Sequence, residues 1–133
     1  MFRDQLFEFP SAVKRDPAVV QWFDERGDLG DIARRWFDVM RDQGDDVREL
    51  LHDLHPTACV GHAAFGYVNV FTAHVNVGFF QGTELPDPCG LLVGTGKFMR
   101  HVKIRPDLLP TDERALTEMI HRAYSDIKDR ASR

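Results

Sequence analysis

The chain is poor in cysteine and serine, carries no excess of positive charge, and has no long apolar run. Its two cysteines, Cys59 and Cys89, form no CxxC pair, which excludes a zinc-finger or thioredoxin-type motif and fits two free thiols in a reducing compartment. Only Ser11, Ser125 and Ser132 are available as hydroxyl nucleophiles of that type, and all fall outside the segments that read as sheet, so no serine triad assembles. The formal net charge of −4 argues against a nucleic-acid binder. No stretch approaches the roughly 18 apolar residues of a membrane span. Asp4 and Glu8 interrupt the N-terminus before a signal-peptide core can develop. These absences predict a soluble, cytoplasmic protein without a disulfide framework.

What remains is an ordinary composition over 133 residues, 43% apolar and 29% charged, which is the size of one domain spanning 1–133. Charge is unevenly placed: residues 1–56 carry a balance of −5 and residues 57–133 a balance of +1.

The first part reads as helical. Asp16-Pro17 is an N-cap with proline at the first helical position, followed by Val19, Val20, Trp22 and Phe23, with Gly27 as a stop. A second helix is expected from Asp31 to Gly44, with Ile32, Trp36, Val39 and Met40 on its apolar side. A third, shorter helix is expected from Asp45 or Asp46, where Val47, Leu50, Leu51 and Leu54 fall at helical spacing before Pro56. From Thr57 the period becomes alternating. With Thr72-Ala73 as a hairpin turn, Val70 faces Val75 and Val68 faces Val77 on one side, while Asn69 faces Asn76 on the other. Residues 81–97 read as a glycine-rich loop with a short helical turn at Cys89–Val93, and Phe98–Arg105 as a strand. Thr111 caps a last helix with the stripe Leu116, Met119, Ile120, Ala123 and Ile127. Helices, then antiparallel strands, then a helix predict a two-layer α+β domain. Its antiparallel sheet should carry the N-terminal helices and the C-terminal helix on one face.

Candidate chemistry is sparse. Gly90–Lys97 reads GLLVGTGK, but its spacing is one residue too long for a phosphate loop, Phe98 stands where a magnesium-binding hydroxyl is needed, and a strand follows instead of a helix. Asp38, Asp42, Asp45, Asp46 and Glu49 form an acidic group whose oxygens suit weakly held hard cations. Tyr67, Asn69, His74, Asn76, His101 and Lys103 share the polar side of the sheet, and Lys97 and Arg100 add positive charge suited to an anion. No nucleophile, base and orienting group converge, so no enzyme is predicted.

The run Asn76–Pro88 (NVGFFQGTELPDP) and the run Gly90–Ile104 (GLLVGTGKFMRHVKI) resemble the YdhG-like family of small bacterial proteins, a domain-of-unknown-function family. The family pattern is a strand ending in GFF, a loop G-x-x-L-x-D-P, then LL-x-GTGK-x-MRH-x-K, and this chain matches it over residues 74–105. It departs at His55-Pro56-Thr57-Ala58-Cys59, where relatives often carry aromatic-Gly-Pro-aromatic. The resemblance implies a frataxin-like arrangement, and some relatives are described as iron chaperones. It therefore implies weak iron binding, without a tightly bound cofactor, at the acidic residues. The alternative is a non-enzymatic binding module that presents the polar sheet face to an anionic small molecule or a protein partner.

Overall fold

The structure, a computed structural model, describes residues 6–132. Met1–Gln5, part of the stretch that reads as no signal peptide, lie outside that range. Two helices come first, α1 (Pro17–Asp24) and α2 (Gly27–Arg41). Then come β1 (Val47–His52), β2 (His55–Val60), β3 (Ala63–Val70) and β4 (Val75–Phe79). The chain closes with β5 (Leu92–Val93), β6 (Arg100–Ile104) and α3 (Pro110–Ala131). The six strands form one antiparallel sheet in the order β1-β2-β3-β4-β6-β5. No helix among the described residues is long and apolar enough to cross a membrane.

The expected two-layer α+β architecture is what the chain adopts. All three helices pack on one face of the sheet around Trp36, Phe37, Phe65, Phe79, Leu116 and Ile120, each at most 2% exposed. Asp16 caps α1, its carboxylate accepting from Ala18 N at 3.0 Å. The apolar stripe read for α3 is buried throughout. The β3–β4 hairpin takes the predicted register, with Val70 opposite Val75, Val68 opposite Val77 and Asn69 opposite Asn76. Phe71 N donates to the His74 carbonyl at 2.9 Å and the two rings stack at 4.9 Å, which closes the turn without glycine.

The main correction concerns residues 45–54, which carry strand β1 between two turns and not a third helix. Both faces of this strand are covered. Val47, Glu49 and Leu51 point to the helices, and Leu50 points the other way. Burial on both faces erases the apolar–polar alternation that marks a half-exposed strand. The buried Glu49, 1% exposed, hides it further.

Smaller corrections follow from local geometry. Gly27 has φ +58° and opens α2 rather than ending α1, because the chain reverses there in a left-handed conformation. The helix ends at Arg41, three residues before Gly44, and Asp42 is its C-cap. Helix α3 begins at Pro110 rather than after Thr111. Within the glycine-rich loop the helical turn lies at Gly82–Glu84, while Leu92–Val93 pair with β6 as a short edge strand.

The face opposite the helices is partly covered. Phe9 N donates to the His62 carbonyl and Ala64 N to the Phe7 carbonyl, both at 2.8 Å, so the N-terminal segment lies along the start of β3. Val13 and Glu49 exchange two main-chain bonds at 2.9 and 2.7 Å at the edge of β1. Phe7, Phe9 and Ala12 thereby pack on Leu50, Cys59, Ala64 and Phe80 and form a second, smaller core.

Candidate ligand-binding face

Beyond that small core the same sheet face becomes polar and concave. A concavity of about 310 Å³ lies between the tip of the β1–β2 hairpin and the middle of β3 and β4. His52, Asp53 and His55 come from the tip, Tyr67 and Asn69 from β3, and Asn76 from β4. Alternation places these side chains together, because every second residue of a strand shares a face and the register sets Asn69 beside Asn76. His52 and His55, which helical spacing would set one turn apart, are instead partners directly across a two-residue turn.

That turn is strained. Asp53 and Leu54 both have positive φ, +49° and +68°, the pair of angles required by a tight hairpin and normally supplied by Asn-Gly. Leu54 is 84% exposed and gains nothing from burial. The Trp22 indole on α1 donates to the Leu54 carbonyl at 2.7 Å and fixes the turn to the helix layer.

Aromatic rings wall the concavity. Tyr67 lies over Gly78, where a Cβ would overlap its ring, so the glycine makes the seat for the tyrosine. The His55 ring lies 4.9 Å from the Tyr67 ring, and Phe80 lies 5.6 Å from it on the side of the small core. Burial lowers the His55 imidazole below its usual pKa, against a partial upward pull from Asp53, so it is neutral at pH 7. Burial also raises the Tyr67 phenol, which stays protonated.

Asn76 stands apart in this lining. It is 9% exposed, and its Oδ1 is buried without a hydrogen-bond partner. Asn69 Oδ1, by contrast, accepts from the adjacent Val70 N at 2.9 Å. Among the described residues the other buried side-chain atom without a partner, Trp36 Nε1, belongs to a ring in the helix–sheet core.

Lys103 is opposite Asn76 on β6 and His101 is opposite Gly78. Burial, then Lys103 and His74, lowers the His101 imidazole below its usual pKa. The two remaining basic candidates lie elsewhere. Arg100 is on the other side of β6, where its guanidinium donates to the Gly96 and Met99 carbonyls at 2.6 and 2.7 Å and ties down the glycine loop. Lys97 is exposed and sits 5.3 Å from the Phe98 ring centre.

The five acidic candidates are dispersed. Glu49 receives two hydrogen bonds from Arg41, both at 2.8 Å, on the buried face of β1. Asp38 accepts from the same guanidinium at 3.0 Å. Burial alone would lower the Arg41 pKa, but its bonds to Glu49 and Asp38 outweigh this and raise it. Asp46 accepts from the Tyr124 hydroxyl at 2.6 Å and pairs with Lys128 at 3.2 Å. These bonds outweigh its burial and hold its carboxyl below the usual range. Asp42 and Asp45 are exposed. Among the described residues, no three His, Cys, Asp or Glu side chains are gathered to hold a metal ion.

Sequence reasoning missed His52, Asp53 and His55 as parts of the sheet face. A signal was present in the symmetric His-x-x-His around Asp53-Leu54, which reads as a hairpin once β1 is a strand. No family model, curated protein or solved structure matches the chain.

Proposed function

We propose that this protein is a non-enzymatic binding module that seats a small molecule on the sheet face opposite its helices. The observation that carries the reading is Asn76 Oδ1, a buried acceptor without a donor beside a concavity of about 310 Å³. A buried polar atom left unpaired costs roughly 1–3 kcal/mol, so a ligand that supplies the missing donor recovers stability as well as affinity. The volume is at the lower end of the roughly 300–1,000 Å³ of small-molecule sites. The rings of Tyr67, His55 and Phe71 supply apolar contact, and Lys103 favours negative charge on one flank.

The acidic residues support the iron reading less well, since Glu49, Asp38 and Asp46 are already engaged with Arg41, Tyr124 and Lys128. The test is a screen of chemically diverse fragments followed by amide NMR. Hits are expected to perturb Tyr67, Asn69 and Asn76. The reading fails if hits gather instead in the groove of about 550 Å³ between Pro86–Cys89 and α3. It also fails if the face responds only to macromolecules.

A further inference from the structure

We propose that the ligand of this concavity is a small planar heteroaromatic acid whose ring N–H donates to Asn76 Oδ1. The proposal rests on the reading of this face as a small-molecule site.

Four features of the site select that chemistry. First, the unpaired atom is an acceptor shielded from solvent in the unliganded chain, so a ligand that reaches it as the Asn76 side chain turns must present a donor. A neutral ring N–H satisfies it without the desolvation cost that a buried ammonium would incur. Second, the walls are rings. Tyr67 and His55 stand 4.9 Å apart at 45°, and Phe71 closes the far end against His74. Such walls favour a flat ring through offset or edge contact over a branched aliphatic body. Third, a concavity of about 310 Å³ is large enough for one or two fused rings.

Fourth, charge sets direction. Lys103 is exposed beside Asn76 in the register and makes no ion pair among the described residues. Asp53 stands at the opposite rim, 3.4 Å from His52. An acidic substituent is therefore drawn towards β6 and repelled from the hairpin tip, with the N–H directed to Asn76. The titratable groups facing the ligand are His52, Asp53, His55 and Tyr67 on one side and His74, His101 and Lys103 on the other.

The test uses the full chain and three matched probes, with Kd and site read by ¹H–¹⁵N NMR. Indole-3-carboxylate has the ring, the donor and the charge. Benzofuran-3-carboxylate replaces the N–H with oxygen, and indole-3-carboxamide removes the charge. Indole-3-carboxylate is expected to shift Tyr67, Asn69, Asn76 and Lys103. The benzofuran should bind about tenfold more weakly, the value of one buried hydrogen bond. The carboxamide should bind several-fold more weakly and lose the salt dependence. Asn76→Val should bind the indole acid only as well as the benzofuran, with a Tm equal to or above that of the unmodified chain. That last readout separates a ligand-directed asparagine from a structural one, whose loss would lower Tm. Equal binding of indole and benzofuran acids at these amides would overturn the N–H assignment and leave the small-molecule reading standing. No response at this face to any probe at millimolar concentration would overturn the ligand class, while the fragment screen judges the site independently. Shifts confined to the groove beside Cys89 would overturn both.

Discussion

The two faces of the sheet carry different kinds of residue. The helix face buries Trp36, Phe37, Phe65, Phe79 and Ile120 almost completely, and the one buried carboxylate among the described residues, Glu49, is matched by two bonds from Arg41. The opposite face buries less, leaves Asn76 Oδ1 unpaired, and borders a turn whose two central residues are held at positive φ. Buried polar groups are normally satisfied and left-handed non-glycine residues are uncommon. Both departures lie beside one concavity, while the helix face holds a paired buried charge and one unpaired indole N–H, that of Trp36; the contrast is what a division between a stabilising face and the proposed binding face would produce. Local violations of folding rules collect where function needs them.

The largest test of that division is the buried ion pair. Glu49→Ala leaves the Arg41 guanidinium, 11% exposed, without its main partner and should cost about 3–5 kcal/mol in urea unfolding. Arg41→Met combined with Glu49→Leu should recover most of that loss, since an apolar pair needs no compensation. If Glu49→Ala is nearly neutral, the helix face is not the stability face.

On the opposite face, substitutions should move stability the other way. Leu54→Gly relieves a left-handed conformation that costs a residue with a Cβ about 1–2 kcal/mol, and should raise the unfolding free energy by about 1 kcal/mol. The Trp22 bond survives because it is made to the main-chain carbonyl. A loss of stability would show that the turn is not strained and would remove one half of the contrast.

A smaller effect should appear with pH. His55 has a folded pKa below its unfolded value because burial disfavours the charged ring. The unfolded chain therefore binds more protons as pH falls. Stability should be fully present above about pH 6.5 and decline as pH drops through the unfolded pKa towards the folded one. Thermal unfolding between pH 7.5 and 5 should show that decline, and His55→Gln should reduce it, leaving the share of His101, which is lowered in the same sense. Carboxylates such as Asp46, lowered by Tyr124 and Lys128, act only at more acidic pH.

The last expectation changes reactivity and not stability. Cys59 lies in the small core with its thiol pushed up to about 12 by burial, whereas Cys89 is exposed. A thiol reagent at pH 8 should label one site quickly in the native protein and the second only on unfolding. Rapid labelling of both would mean that the N-terminal segment does not hold the small core closed.

Most of the architecture was legible from periodicity and turn chemistry, and the places where it was not are instructive. The β3–β4 register could be read because only one alignment keeps valines with valines and asparagines with asparagines. The α3 stripe and the Asp16-Pro17 cap could be read because their signals are local. Residues 45–54 misled because Val47, Leu50, Leu51 and Leu54 fit a helix, and because the partner that allows a glutamate inside, Arg41, comes from another element.

By itself, then, the sequence determined the α+β class, the Asp16 cap of α1, the apolar stripe of α3 and the polar parity of Tyr67, Asn69, Asn76, His101 and Lys103. These follow from spacing within single elements. Only the tertiary structure decided that β1 is a strand and that His52 and His55 meet across its turn. It also decided that the N-terminal phenylalanines cover part of the second face and that Asn76 Oδ1 is buried without a donor. Each depends on which distant groups arrive beside a residue, and the pattern of its own segment does not contain that information.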